Sequence, residues 1–462
     1  MLRSMRRAND AWLLAAGMLG LLYFIYRAAL VRFYFFDGDH AIQIMMAKHF
    51  AWRSQDFYYW GQNRLGSLIP VLLIVPLKWL SLPPLHTAVA CATGFYLAVV
   101  ALLIYHAQSR AERVAALVAA FLVPIGAYKF LLYTGHPYGP SMALSLAAFT
   151  LLFAGRASRG RMLGVGALLS VACWVSEATL AAVVPLLWLA FQRRERLSIR
   201  RTHWLWLGAG LAWLVPFVFY WRRQIGFDGH DADYVKPADL EMLQAGLLKF
   251  LPQFSDMLNS MRPRASAMAA GVACVLVLSN LCVLFTPASW LHEGRDRPRA
   301  PILNFLALHN ALYFLVVLFS RHSYFGEGLI QRFWVPVIVY SLYLALVFAV
   351  RVVQMSECRA VFKTVSTVVG LSVILSMSAL SSMSWPTLQT FKTMREHRDD
   401  VKSALARGAT HVTADYWRAL PLNVLSGFRI LAVPRDFSRT GHFRAEFSRE
   451  ARDSDPGAYL DF

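Results

Sequence analysis

The sequence predicts an α-helical polytopic membrane protein. Of its 462 residues, 57% are hydrophobic, the mean hydropathy is +0.45, and the apolar runs are separated by short connectors rich in arginine. An apolar run of about 20 residues is long enough to cross the hydrocarbon core of a bilayer. The net charge of +19 comes from these connectors, and it suits anionic lipid surfaces better than nucleic acid. We therefore predict membrane lipids as surroundings and no nucleic-acid partner.

The beginning of the chain and the cysteines fit this class. The run from Ala11 to Leu30 follows a basic start and leads into further apolar runs, so we expect it to stay as a first helix. The cysteines lie in or beside apolar runs without a CxxC pair, which predicts neither disulfides nor a thiolate metal site. They are Cys91, Cys173, Cys274, Cys282 and Cys358.

The basic connectors predict the orientation of the helices. Arg3, Arg6 and Arg7 place the N-terminus in the cytoplasm, because cytoplasmic segments carry an excess of Lys and Arg. The segment after the first span then emerges at the outer face. All later basic connectors also lie on the cytoplasmic side, provided that two of the apolar runs do not form single crossings. One of these runs must not cross, and the other must cross twice.

The first exception is Leu65 to Leu82, which contains prolines and the central Lys78. A lysine at the bilayer centre costs about 2.5–3.5 kcal/mol, so this run is expected to lie on the outer surface. The second exception is Arg161 to Phe191, which is too long for one span. We expect two short helices there, with Glu177 at their outer turn.

This assignment predicts about 11 spans and an outer C-terminus. The spans are approximately 11–30, 86–106, 112–132, 141–155, 162–176, 178–191, 204–221, 267–289, 301–320, 329–350 and 364–384. Two domains follow: a transmembrane domain, 1–384, with a first outer loop, 31–85, and a C-terminal outer domain, 385–462.

The C-terminal domain is predicted to be a small α/β unit. A strand at His411, a helix from Tyr416 to Leu425 and a second strand from Arg429 to Pro434 have the spacing of a βαβ unit. We expect this unit to be held to the membrane domain by His411, Asp415, Tyr416 and Trp417. The last 25 residues or so are polar, and we expect them to be poorly ordered.

The most distinctive motif follows the first span directly. Asp37 and Asp39 flank Gly38, and His40 comes next, so two carboxylates lie at the predicted outer surface. An aromatic segment from Phe57 to Trp60 and then Arg64 follow in the same loop. The two carboxylates lie either in the solvated start of a loop or in the active site of an enzyme that acts at a lipid boundary.

These features resemble the GT-C glycosyltransferases, in particular the group of protein O-mannosyltransferases and lipid A aminoarabinose transferases. The likeness is specific mainly over 33–70 and more loosely over 414–420. It implies a GT-C-like bundle with interfacial helices in the first outer loop and a C-terminal outer domain. It also implies transfer of a sugar, with inversion, from a polyprenyl-phosphate donor to a lipid, glycan or protein acceptor at the outer face of a bacterial-type inner membrane.

The resemblance assigns roles to individual residues. Asp39 matches the catalytic base, and His40 stands where the family often has Glu. Arg64 aligns with a lysine that contacts the carrier phosphate. Asp37 is expected to help Asp39 or to share a divalent cation, Mg²⁺ or Mn²⁺, with it.

Further residues are candidates for contacts with phosphate or sugar. The candidates in predicted outer loops are His40, Tyr59, Arg321, His322 and Tyr324, and weaker candidates are Lys129, Arg222, Arg223 and Arg332. Structural alternatives remain open: Arg64 and Arg321 as side chains that snorkel to lipid headgroups, and Tyr58, Tyr59 and Trp60 as aromatics of the membrane interface.

Two other functions compete with this one. A transporter or lipid-linked saccharide flippase should carry ionisable groups near the midplane and repeated halves, and the sequence has neither feature clearly. An O-antigen ligase or polymerase is expected to depend on Arg and His in late loops. The early acidic motif favours the glycosyltransferase, but the sequence leaves the sugar, the acceptor, the carrier length and the oligomeric state open.

Overall fold

The computed structural model describes most of the chain and shows a helical bundle followed by a small sheet. The described residues are 36, 38–60, 66–132, 136–216, 237–259, 266–286, 301–320, 324–325, 328–329, 331–354, 360–383, 394–435 and 445–462. The predicted first span, 11–30, lies outside them.

Helices dominate the described residues. In chain order they are α1 Gly38–His49, α2 Leu68–Ile74, α3 Pro84–His106, α4 Arg110–Phe121, α5 Ile125–Leu132, α6 Tyr138–Phe153, α7 Arg159–Val175, α8 Leu180–Gln192, α9 Arg201–Leu211, α10 Leu240–Asn259, α11 Ser266–Phe285, α12 Ile302–Phe319, α13 Val335–Gln354, α14 Ala360–Met383, α15 Met394–Ala406, α16 Tyr416–Leu425 and α17 Arg449–Ser454. The strands are β1 Tyr324–Phe325, β2 Gly328–Leu329, β3 His411–Ala414, β4 Leu431–Pro434 and β5 Leu460–Asp461.

Five helices in the described part of the chain are long and apolar enough to cross a membrane. They are Pro84–His106, Ala267–Phe285, Ile302–Phe319, Val335–Gln354 and Ala360–Leu380. The most apolar window of α13 is 83% buried, whereas that of α14 is 17% buried. Helix α13 is therefore central in the bundle, and α14 presents side chains such as Phe362 and Leu375 to lipid.

The run predicted to lie on the surface forms a short helix. Helix α2 continues into one π-helical turn, Val75–Trp79, and the helix ends before Leu82. Trp79 and Leu80 are exposed, and Lys78 Nζ donates a hydrogen bond to the backbone oxygen of Phe50. This helix is too short to cross a bilayer.

Two helix breaks have local causes. Arg161 to Phe191 forms two short helices, as expected, because Ser176 is extended and Glu177–Thr179 makes a 3₁₀ turn. The predicted span 112–132 is instead divided into α4 and α5. Pro124 lies at the break, and proline lacks the N–H that an uninterrupted helix needs there.

Two other segments differ from the prediction. The residues between the predicted spans 204–221 and 267–289 include α10, an amphipathic helix that contains Pro252. The predicted span 329–350 begins with β2, which pairs antiparallel with β1, and with a 3₁₀ turn, Gln331–Trp334. Helix α13 therefore begins only at Val335.

A buried ion pair joins α4 to α13. Arg351 Nε lies 3.0 Å from Glu112 Oε1, and the two side chains are 9% and 3% exposed. Glu112 also accepts a hydrogen bond from the backbone N–H of Gln108 at 2.6 Å. Removal of either charge would leave the other buried without its partner, which costs about 3–5 kcal/mol.

A cluster of neutral polar side chains joins α11, α12 and α13. Asn310 Nδ2 donates to Asn280 Oδ1 at 2.8 Å and to Ser341 Oγ at 3.2 Å. Asn280 Nδ2 donates to Ser341 Oγ at 2.8 Å. Such hydrogen bonds between helices stabilise bundles in lipid, where polar groups have no water to pair with.

The C-terminal residues form the predicted βαβ unit. Strand β3 pairs parallel with β4, in the register His411 to Leu431 and Ala414 to Pro434, and α16 connects the two strands. A third strand, β5, also pairs parallel with β3. The sequence did not predict β5, and the end of the chain is more regular than expected.

Helices α7 and α9 cross at two glycines. A Cβ atom on Gly210 would meet the backbone oxygen of Leu163, and one on Gly166 would meet the backbone oxygen of Leu207. Glycine is therefore required at this crossing, because any side chain would push the two helix backbones apart.

The crossing yields a stability prediction with a control on the same helix. Gly210→Ala should lower the free energy of unfolding by about 1–3 kcal/mol through overpacking. Gly208→Ala should be neutral or stabilising, since a Cβ atom there meets nothing within 4 Å. The measurement is the thermal unfolding of both purified variants in detergent. Equal melting temperatures would contradict the proposed close approach.

Candidate active site at the start of helix α1

Asp39 lies in the first turn of α1, nine residues after the end of the predicted first span, 11–30. Its side chain is half-buried, whereas most of α1 is fully buried. The first turn of a helix carries backbone N–H groups without intrahelical partners and the positive end of the helix dipole. A carboxylate is stabilised at that place while it remains partly accessible.

Two tyrosines contact Asp39. Tyr59 Oη donates to the backbone oxygen of Asp39 at 2.7 Å, and Tyr416 Oη donates to its carboxylate Oδ1 at 3.1 Å. Tyr59 belongs to the first loop and Tyr416 is the first residue of α16. The C-terminal unit therefore takes part in the environment of the candidate base.

Helix α16 is itself held in place at its start. Asp415 caps the helix and accepts a hydrogen bond from the backbone N–H of Arg418 at 3.1 Å. The Arg418 guanidinium forms two hydrogen bonds to Asp400, at 3.1 and 2.9 Å. These hydrogen bonds raise the pKa of Arg418, so the residue stays charged and its link between α16 and α15 persists.

A glycine allows α16 to approach α1. A Cβ atom on Gly38 would lie 2.9 Å from Tyr416 Cε1 and 3.0 Å from the backbone oxygen of Tyr416. The glycine between the two aspartates therefore has a packing role. It lets the Tyr416 ring reach the Asp39 carboxylate.

His40 and the aromatic residues of the first loop are buried. His40 is 2% exposed and its ring stacks on Phe36, with centroids 6.3 Å apart. Tyr58, Tyr59 and Trp60 are 3%, 3% and 2% exposed. These three aromatics pack inside the protein, so the alternative of a membrane-interface belt is wrong.

Hydrogen bonds connect the first loop to the end of α7. The backbone N–H of Gly66 donates to the Trp174 oxygen at 2.9 Å, and Trp174 Nε1 donates to the Phe57 oxygen at 3.0 Å. Ser67 Oγ donates to the Asp56 oxygen at 2.6 Å. Phe57 and Gly66, which lie on either side of Arg64 in the sequence, are therefore both held to Trp174 of α7.

Several predicted site residues lie outside the described residues or have no described side chain. The residues outside the described part of the chain are Asp37, Arg64, Arg321, His322, Arg222 and Arg223. Tyr324 is placed by its backbone in β1, Lys129 in α5 and Arg332 in a 3₁₀ turn. Within the described part of the chain, no group of three or more His, Cys, Asp or Glu residues has the arrangement of a metal site. The divalent cation stays a prediction.

The structure also brings together a polar recess that the sequence analysis missed. It lies between α6, the 3₁₀ turn after Ser176, α12 and the start of α13, and its accessible volume of about 10 Å³ leaves room for about one water molecule. The lining includes Tyr138, Ser141, Ser145, Ser176, His309 and Tyr313. The available signal was polar residues four apart in apolar helices: Ser141 with Ser145, and His309 with Tyr313.

The fold defined by these elements is that of a polytopic helical membrane protein. Two solved structures have it: ArnT from Cupriavidus metallidurans in the apo state, with a TM-score of 0.56 and 12% identity, and the same protein bound to undecaprenyl phosphate, with a TM-score of 0.54 and 11% identity. Each alignment covers 98% of this chain and 90% of the other. ArnT is a lipid A aminoarabinose transferase, so the resemblance to this group is confirmed at the level of the fold.

The likeness to known proteins does not extend to the amino-acid sequence. No protein-family profile matches the chain, and no curated protein matches it either. The similarity is therefore one of fold, and the roles of individual residues have to be argued from their geometry.

The contact between α1 and α16 can be tested by enlarging its glycine. Gly38→Ala should weaken the packing of the C-terminal unit, because the Tyr416 side chain and backbone must both move. Backbone amides of β3, α16 and β4 should then exchange hydrogen faster with deuterated solvent. Gly94→Ala is the control, since a Cβ atom there meets nothing within 4 Å. Unchanged exchange in Gly38→Ala would argue against the contact.

Proposed function

We propose that this chain is an integral-membrane inverting glycosyltransferase. It moves a sugar from a polyprenyl-phosphate carrier to an acceptor at the outer face of a bacterial-type inner membrane, with its N-terminus cytoplasmic and its C-terminus periplasmic. The observation that carries the proposal is the partly accessible carboxylate of Asp39, held at the start of α1 by Tyr416. The proposal is further supported by the fold shared with ArnT, which has also been solved with undecaprenyl phosphate.

The chemistry assigns one task to Asp39. The acceptor oxygen attacks the anomeric carbon, its proton passes to the Asp39 carboxylate, and the carrier phosphate leaves with the bonding electron pair. A general base of this kind contributes about 10²–10⁴-fold to the rate. Tyr416 stabilises the ionised carboxylate and fixes its direction by donating a hydrogen bond to it.

Arg64 is assigned to the departing phosphate. A guanidinium presents paired N–H donors that match phosphate oxygens and it remains charged at every relevant pH. This role is supported by the described residues on either side of Arg64: the backbone N–H of Trp60 donates to Met46 Sδ of α1, and that of Gly66 donates to the Trp174 oxygen. Arg321, His322 and Tyr324 are proposed as further contacts to phosphate or sugar, and Asp37 as a helper of Asp39, with or without a divalent cation.

The base can be tested by an isosteric substitution. Asp39→Asn keeps an oxygen that can accept from Tyr416 but cannot take up a proton, so the rate of transfer should fall about 10²–10⁴-fold. The measurement is sugar transfer from undecaprenyl-phosphate donors in membranes that contain equal amounts of protein. Asp399→Asn is the control, because Asp399 is an exposed carboxylate on α15. Turnover of Asp39→Asn equal to that of the wild type would exclude Asp39 as the base.

The role of Arg64 predicts a different kinetic change. Arg64→Ala should raise the KM for the donor, since loss of a charge-assisted contact typically costs about 1.5–3 kcal/mol, or roughly 10- to 100-fold in binding. Arg53→Ala in the same loop is the control, because Arg53 is exposed. The measurement is the initial rate of transfer over a range of donor concentrations. An unchanged KM in Arg64→Ala would remove this residue from the carrier site.

A further inference from the structure

We infer that Trp417 of the C-terminal unit is the platform on which the sugar ring of a saccharide acceptor packs while a hydroxyl of that sugar reaches Asp39. This inference rests on the proposed function and names the chemical class of the acceptor. Its support comes from the exposure of the Trp417 side chain, from its contact with Tyr416, and from the fixed position of α16.

Trp417 is exposed on a helix that is otherwise covered. All residues of α16 are described, and Trp417 is the one among them that is exposed, at 51%. Seven of the ten residues of this helix are buried. Within the described residues of 394–462, Leu460 is the other exposed large apolar side chain. Tryptophan has a large apolar surface to bury, and it is enriched where proteins bind other molecules.

The Trp417 ring lies next to the tyrosine that contacts the candidate base. The rings of Tyr416 and Trp417 pack edge to face, with centroids 5.0 Å apart and an interplanar angle of 83°. The Tyr416 hydroxyl donates to Asp39 Oδ1 at 3.1 Å. One tyrosine side chain therefore separates the exposed indole from the Asp39 carboxylate.

The acceptor is the substrate that has to contact Asp39. Its attacking hydroxyl must lie within hydrogen-bond reach of the base. Because the proposed transfer proceeds with inversion, the carrier phosphate departs from the opposite face of the donor sugar. An exposed side chain adjacent to the base is therefore placed to contact the acceptor.

The surroundings of Trp417 match a sugar ring. One face of a pyranose presents C–H bonds, and its rim carries hydroxyls that both donate and accept hydrogen bonds. The negative face of an aromatic ring attracts C–H groups, and the flat indole can cover them. Asp415 and Arg418 flank the two aromatic residues in the sequence and are partly exposed, so polar groups adjoin the indole. The hydrocarbon chain of a lipid would gain nothing from these polar neighbours.

The start of α16 holds Trp417 in a fixed place. Asp415 caps the helix with a hydrogen bond of 3.1 Å, and the Arg418 guanidinium forms two hydrogen bonds to Asp400. Trp417 lies between these two anchored residues. A binding side chain on a rigid element loses little conformational freedom when its ligand binds. The sequence predicted that Trp417 would help to hold the C-terminal unit to the membrane domain, but half of its side chain remains uncovered.

The experiment measures the binding of small glycosides to the full chain in lipid nanodiscs. Methyl glycosides of glucose, galactose and N-acetylglucosamine are titrated by saturation-transfer NMR. A soluble threonine-containing peptide and undecaprenyl phosphate are titrated as the other probes. At least one glycoside should bind, and saturation should be transferred most strongly to the C–H protons of one ring face.

Substitutions of Trp417 test whether the flat ring is responsible. Trp417→Ala should weaken the favoured glycoside at least about fivefold, the effect of uncovering roughly 40 Å² of apolar surface. Trp417→Phe, which keeps a flat aromatic face, should retain most of the affinity, whereas Trp417→Leu should not. Undecaprenyl phosphate should bind all variants equally. Trp188→Ala is the matched control, because Trp188 on α8 is 52% exposed, and it should change no affinity.

The outcomes separate this inference from the proposed function. If undecaprenyl phosphate does not bind the wild type, the proposed function fails together with the inference. If undecaprenyl phosphate binds but no glycoside does, or if Trp417→Ala and Trp188→Ala bind glycosides equally, the inference fails and the proposed function stands. Peptide binding that is lost in Trp417→Ala would assign the platform to a protein acceptor and overturn the inference.

Insertion of Trp417 into lipid headgroups is the structural alternative, because tryptophan also suits the membrane interface. Lipids brominated near the headgroup quench tryptophans at that depth. The fluorescence difference between the wild type and Trp417→Phe reports on this one residue, and it should be insensitive to the brominated lipids. Quenching of that difference would place Trp417 in the membrane interface and overturn the inference.

Discussion

The contact between Tyr416 and the first turn of α1 is the interaction on which the candidate site depends. It joins residues 377 positions apart and brings a hydrogen-bond donor to the Asp39 carboxylate. The contact needs the glycine at position 38 and the orientation of α16, which its capping residue and the Arg418–Asp400 pair maintain. The small sheet thus supports the site by fixing one helix end, and the C-terminal unit is more than a peripheral addition to the bundle.

The bilayer imposes the second constraint, because buried polar groups have no water to pair with. The bundle satisfies this constraint at the Glu112–Arg351 ion pair and at the cluster of Asn280, Asn310 and Ser341. Tyr313 departs from the rule, since its hydroxyl is buried without a partner among the described residues. Asn304 Oδ1, Trp334 Nε1 and Tyr340 Oη are likewise buried without a hydrogen-bond partner among the described residues, so such groups occur at several places in the bundle.

Much of this architecture could be predicted from local sequence patterns. The features that depend on contacts between distant residues could not. The two short helices around Glu177 and the βαβ unit follow from hydrophobic periodicity and spacing, which are properties of neighbouring residues. The burial of Tyr59 and Trp60 could not be predicted, because the same aromatic residues suit a membrane interface and a protein interior. Strand β5 also escaped prediction, since two residues in a polar tail become a strand only by pairing with β3.

The environment of Asp39 also bears on the histidine at the next position, where the family that the sequence resembles often has an acid. His40 is buried and stacks on Phe36, so its ring is part of the packing around α1. A second carboxylate at that buried position would be costly without a charged partner. The chain instead places a tyrosine hydroxyl against the Asp39 carboxylate and a second tyrosine on its backbone. In this arrangement the Asp39 carboxylate accepts a hydrogen bond from Tyr416, while the residue at position 40 contributes to the packing of α1.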